Sequence, residues 1–215
     1  MCSAPGGSTR AFVTWSILCL WGVALTIGCT IMMARHTIPL PTPDLEDGRT
    51  AQALNAHRVS TDADGWMMTH VLLSSCPCSR RITTHLLARH AEQGMEEHIF
   101  WVVDEDAAEQ PLKDFPKRAR SHGFIVHTIS PAELARHYRI EAAPLLLILG
   151  PEEQQLLYSG GYTSRKQGHV IQDLEILERV RARHGPFEAL PLFGCAASRA
   201  LRETIDPTGG WFSGW

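Results

Sequence analysis

The apolar and polar positions of this chain fall into two regimes: one long uninterrupted apolar run near the start, then short elements in alternation. Residues 11–33 (AFVTWSILCLWGVALTIGCTIMM) carry no charge, and about 20 such residues cross a bilayer as a helix. Trp15 and Trp21 lie in its first half, and Trp15 suits a membrane interface. A cleaved signal peptide has a shorter apolar region and a small-x-small cleavage site, which is absent before the charged residues. Gly28-Cys29 resembles the end of a lipobox, but Thr26 stands where leucine is usual and Thr30-Ile31-Met32-Met33 continues the apolar run. The run therefore predicts an uncleaved anchor. Arg10 and Arg35 flank it with little bias. A short tail before a long C-terminal part places the bulk of the chain outside the cytoplasm, on the periplasmic side. Ile38-Pro39-Leu40-Pro41-Thr42-Pro43 then reads as an extended spacer, because each proline disfavours helix at the residue before it.

From Trp66 the pattern predicts alternating strands and helices. Residues 67–74 read as a buried strand. Residues 81–93 read as a helix with Ile82, Leu86 and Leu87 on one face and Gly94 as its stop. Residues 98–103 form a second strand ended by Asp104-Glu105-Asp106, which reads as a solvated strand end rather than an acid–base or metal cluster. Residues 113–122 are an imperfect helix containing Pro116, and 124–129 a third strand. Ser130-Pro131-Ala132-Glu133 combines a capping box with proline at the first helical position and starts a helix ending near Tyr138. Residues 145–149 are a continuous apolar strand. Its hairpin partner is 155–158, across Gly150-Pro151-Glu152-Glu153, with Gly160-Gly161 closing the hairpin. Val170, Leu174, Leu177 and Val180 mark a last helix before Gly185-Pro186.

This β-α-β-α-β-α-β-β-α order predicts parallel strands joined by right-handed crossovers, with a final antiparallel hairpin. The fold class is α/β: a mixed sheet flanked by helices, preceded by one transmembrane helix. The expected divisions are a tail at 1–10, an anchor at 11–33, a linker at 34–65, the α/β domain at 66–184 and a C-terminal extension at 185–215. Over 215 residues the formal charge is -3, with 44% apolar and 20% charged residues. That composition suits a globular protein and argues against nucleic acid as the partner.

The chemistry lies in sulfur. Of six cysteines, Cys2, Cys19 and Cys29 fall in the tail and anchor. Cys76, Cys78 and Cys195 remain, too few for a disulfide scaffold and odd in number. Ser74-Ser75-Cys76-Pro77-Cys78-Ser79 sits where a strand hands over to a helix. Uncapped N–H groups and the helix dipole at such a turn favour a thiolate. Cysteines at i and i+2 can bridge if their Cα atoms come within about 7 Å, in a small, strained and easily reduced ring. Cys76 would then attack and Cys78 resolve, with Pro77 stiffening the turn. Cys195, at another expected helix start, is open to three roles: a resolving partner, a third metal ligand or an unpaired packing cysteine. Trp211, Phe212 and Trp215 could pack on the domain or meet the membrane interface.

Three features between residues 66 and 183 resemble the thioredoxin-like family. They are Cys76-Pro77-Cys78 after the first strand, Ile140-Glu141-Ala142-Ala143-Pro144-Leu145 as a cis-proline loop, and Leu145-Leu146-Leu147-Ile148-Leu149 with Leu157-Tyr158-Ser159-Gly160-Gly161-Tyr162 as the closing hairpin. The resemblance implies thiol–disulfide exchange without a cofactor, catalysed by Cys76 and Cys78. It also implies that Pro77, Ala143 and Pro144 contact a cysteine-containing protein substrate or redox partner. One residue separates the cysteines where the family has two, and the usual tryptophan is absent. In a second register Ser75 takes the nucleophile position. Leu73, three before Cys76, excludes a peroxiredoxin-type TxxC motif.

Two rival functions follow from the same residues. Cys76, Cys78 and Cys195 could bind copper or an iron–sulfur cluster, although none of the 11 histidines stands at a ligand spacing. His70, His85 and His127 read as surface or satisfied core residues. Alternatively the domain keeps the fold as a non-catalytic interaction module.

Overall fold

A computed structural model of the chain describes residues 8–37, 39–59, 65–103, 112–151, 155–166, 168, 170–183 and 188–205. It divides into two compact units, Met1–Ile38 and Pro39–Trp215. In the first, helix α1 (Ser8–Thr37) contains a stretch, Ala11–Ile31, long and apolar enough to cross a membrane. Cys2, Asp104-Glu105-Asp106, Gly185-Pro186, Trp211, Phe212 and Trp215 lie outside the described residues.

The second unit is built on a five-stranded mixed sheet in the order β3-β2-β1-β5-β6. Strands β1 (Met67–Leu73), β2 (Glu96–Val102) and β3 (Ile125–Ile129) are parallel. Strand β5 (Leu145–Leu149) runs antiparallel to β1, and β6 (Leu156–Gly160) closes the hairpin on β5. Every residue of β1 is buried, as a central strand covered on both faces requires. Met67, Val71 and Leu73 face one core with Leu54, Phe100, Leu145 and Leu147. Met68 and Leu72 face the other, with Ile82, Leu86, Trp101 and Ile176. This is the period of two expected of a strand.

Helices α3 (Pro77–Arg89), α4 (Phe115–Ser121) and α6 (Asp173–Arg183) supply the second core, while α2 (Gly48–Asn55) and α5 (Pro131–Tyr138) supply the first. Helix α3 begins at Pro77, four residues before the expected start at 81, because Pro77 occupies the first turn, where its missing N–H costs nothing. It ends at Arg89, where His90 takes a positive φ of 67°, ahead of Gly94. Pro116 likewise opens α4 instead of breaking it. Helix α5 starts as its motif requires, Ser130 accepting from the Glu133 N–H.

Two expected appendages belong to the folded unit. The presumed linker contains α2, which is capped by Asp47 and buries Thr50, Ala51 and Leu54; Thr50 Oγ1 donates to Tyr138 O at 2.9 Å. The C-terminal extension contributes β7 (Cys195–Ala196) and α7 (Arg199–Ile205), and β7 pairs antiparallel with β4 (Ala142–Ala143).

Candidate functional site around Cys76

The end of β1 and the start of α3 are tied together locally. Cys76 N–H donates to Leu73 O at 3.0 Å, and Leu73 N–H donates to Ser79 Oγ at 3.0 Å. Cys76 is the helix N-cap, in extended backbone, and no side chain caps the first turn. As the N-cap residue, Cys76 lies at the positive end of the α3 dipole. Cys76 is buried, Cys78 half-buried and Pro77 exposed.

Cys76 is bonded to Cys195, across a sequence separation of 119 residues and a Cα–Cα distance of 6.0 Å. The C-P-C bridge expected between Cys76 and Cys78 does not form, and Cys78 is a free thiol. The physical reason is that Pro77 divides the two cysteines between different backbone states. Cys76 is outside the helix and Cys78 is in its first turn, where neighbours two apart do not face each other. Cys78 instead lines a cleft of about 180 Å³ with Arg81, Pro144, Tyr162, Lys166 and Phe193.

The third member of the site is the loop before β5. The Ala143-Pro144 peptide bond is cis, and Ala143 O lies 3.9 Å from Cys76 Sγ. In the β4–β7 ladder Ala143 faces Cys195 and Ala142 faces Ala196. Cys76, Ala143, Pro144, Cys78 and Cys195, which are scattered in the sequence, thus converge at one place.

The segment carrying Cys195 is held on both flanks. Gly161 N–H donates to Leu190 O at 2.9 Å, Leu40 N–H to Leu192 O at 2.8 Å, and Ala197 N–H to Glu141 O at 2.6 Å. At Gly194 a Cβ would run into the Ala143 carbonyl and stand 2.7 Å from Pro144 Cδ. At Gly160 it would stand 2.8 Å from Leu190 O. Glycine at these positions is what lets the strap lie flat on the site.

A buried ionic cluster underlies the opposite core. His70 Nε2 donates to Glu97 Oε1 at 2.7 Å, and its Nδ1 is hydrogen-bonded to Tyr162 Oη at 2.8 Å. Arg89 pairs with Glu97 through both Nη atoms and donates from Nε to Asp173 Oδ2 at 2.8 Å. His85 Nε2 completes Asp173 at 2.9 Å. Burial opposes ionisation of both carboxyls, yet His70 and Arg89 hold Glu97 at about 2. His85 and Arg89 likewise hold Asp173 at about 2. Burial pushes the Tyr162 phenol well above its ordinary range.

A histidine group lies at the edge of the first core. His98 donates from Nε2 to Glu96 at 2.9 Å, and its Nδ1 meets His127 Nε2 at 3.0 Å. His57 Nε2 meets Tyr138 Oη at 2.7 Å. Burial lowers all three, and burial with neighbouring His57, His98 and Arg120 takes His127 to about 4. Among the described residues, no group of three or more His, Cys, Asp or Glu is arranged to hold a metal ion.

Glu97, Arg89 and Asp173 were missed from sequence, while a resolving role for Cys195 was one of three left open. Glu97 carried a signal: an acid within an apolar strand must find a partner. The partner's identity depends on tertiary contacts.

No family model matches this chain, and no curated protein matches it. Among solved structures, it is similar to a hypothetical protein of Sinorhizobium meliloti, with 16% identity and a TM-score of 0.48 over 75% of this chain and 93% of that one. It is also similar to an uncharacterized conserved protein of Geobacillus kaustophilus, with 18% identity and a TM-score of 0.48 over 63% of this chain and 77% of that one.

Proposed function

We propose that this chain is a membrane-anchored thiol–disulfide exchange protein with a thioredoxin-like domain on the extracytoplasmic side, acting on cysteine-containing protein clients. The observation that carries the reading is the Cys76–Cys195 disulfide. Cys76 is the buried N-cap residue of α3, beside the cis-proline loop, with an unbonded thiol two residues on. Cys76 is the exchanging thiol and Cys195, rather than Cys78, its resolving partner.

In the reduced protein the Cys76 thiolate attacks one sulfur of a client disulfide. A Cys76–client bond forms, the client S–S bond breaks, and the second client sulfur leaves as thiolate and takes a proton from water. The Cys195 thiolate then attacks Cys76, re-forming Cys76–Cys195 and releasing the first client sulfur. The client gains two electrons and two protons, and the protein loses them. A dithiol donor restores the reduced form by attack on Cys195, the more exposed sulfur. Cys76 is the better leaving group because the helix terminus stabilises its thiolate. Run backwards, the same steps oxidise a client dithiol.

The competing reading is a structural staple for the strap, favoured by the hydrogen bonds on both its flanks. Dithiol-driven reduction of insulin by the full-length chain in detergent separates the two. The exchange reading expects turnover in the wild type, loss in Cys76→Ser and a trapped mixed disulfide in Cys195→Ser. No turnover above the dithiol background in any redox state rejects it.

A further inference from the structure

We propose that residues 193–196 occupy the place of a client polypeptide, and that the preferred clients are extended segments with glycine immediately before the reactive cysteine. This rests on the exchange reading above and specifies its substrate class.

The geometry of the strap carries the inference. Cys195 is bonded to the same sulfur that a client cysteine would bond. Around that bond the strap behaves as an added strand: Cys195 lies opposite Ala143 and Ala196 opposite Ala142, antiparallel. Main-chain pairing of this kind accepts many sequences, and selectivity comes from what each side chain meets. Gly194 meets the Ala143 carbonyl and Pro144 Cδ, so any Cβ there collides with backbone or with a fixed ring. Phe193 reaches the cleft beside Cys78, Pro144 and Tyr162, which suits an apolar side chain two before the cysteine.

The same geometry shows how a client could enter. Only two residue pairs hold β7 to β4, while the flanking bonds at Leu190, Leu192 and Ala197 lie outside the centre of the site. Once the disulfide opens, residues 193–196 can lift without release of the strap's ends. A client strand then takes the β4 edge and its cysteine bonds Cys76. Return of the strap brings Cys195 back to Cys76 and expels the client strand.

The test uses the full-length chain in detergent with every cysteine except Cys76 replaced by serine. It is mixed with peptides Leu-Phe-X-Cys-Ala whose cysteine carries a thiopyridyl disulfide. The Cys76 thiolate attacks the peptide sulfur, and thiopyridone leaves with the electron pair and is read by absorbance. Rates are normalised to each peptide's reaction with free cysteine. The glycine peptide is expected to react at least about tenfold faster than those with alanine or valine at X, the factor that a modest steric clash implies. The reduced wild-type chain should give the same ranking, with the peptide released as free thiol; this arm needs no substitution. Equal rates for glycine and valine overturn the inference and leave the exchange reading intact. Failure of every peptide to react in both arms, while Cys76 alkylates after unfolding, overturns the exchange reading itself.

Discussion

The folded unit is clamped twice by opposite means, across nested sequence gaps of 119 and 84 residues. Cys76 at the start of α3 is joined covalently to Cys195, while Arg89 at the end of α3 is joined ionically to Asp173 on α6. The ionic clamp has nearly every hydrogen-bonding position filled: Glu97 alone accepts from His70, from Arg89 and from the Glu92 N–H. The covalent clamp sits among a free thiol, an open cleft and a two-residue ladder. The ionic cluster is closed on itself, whereas the covalent clamp, though buried at Cys76, borders a cleft lined by a free thiol.

The largest effect expected from separating them is in Cys76→Ser, which abolishes client reduction in the insulin assay while the fold remains. Next, Glu97→Ala removes the carboxylate that His70 and Arg89 share, leaving Arg89 to Asp173 alone, and lowers the unfolding free energy by about 3–5 kcal/mol in urea titration. It should leave the exchange rate within about twofold. Loss of exchange in that variant would show that the clamps are not separable. Cys195→Ser opens a loop of 119 residues and costs about 2–5 kcal/mol in the same titration.

Acid sharpens the contrast. His127 is held at about 4 and His57 and His98 are also lowered. As pH falls below about 6.5 the unfolded chain takes up protons that the folded chain refuses, so stability declines between about 6.5 and 4. Glu97 and Asp173, each at about 2 when folded, contribute stability that is full above about 4.5. It is lost as pH drops toward 2. Thermal unfolding followed by circular dichroism across this range should show both declines. Cys195→Ser should lower the whole profile without changing its shape, since a disulfide does not titrate. The smallest expected effect is Ser130→Ala, about 1 kcal/mol through loss of the α5 cap.

The sheet was largely legible in the chain because its strands are apolar runs of ordinary length. The run at 145–149 matches β5 residue for residue. Proline misled once in the helices: Pro116 read as an imperfection within a helix but serves as a first-turn residue, as Pro77 does in α3. Helix α2 was hidden behind prolines and carries only a short apolar face. At the site, Cys76, Ala143 and Pro144 could be read from local motifs. The Cys195 partnership could be read only as one of three roles, because it depends on glycines at 160, 161 and 194 that matter only once the strap is laid beside the cis-proline loop.

Cys76–Cys195 is proposed as the bond that exchanges. Its most direct test mixes the reduced full-length chain with a disulfide-bonded client, quenches with an alkylating agent at intervals and maps the cysteines by mass. The Cys76–Cys195 bond is expected to appear in step with client thiols while Cys78 remains alkylated. Client reduction with Cys76 and Cys195 both still alkylated, or a Cys76–Cys195 bond formed without any client thiol, would contradict it.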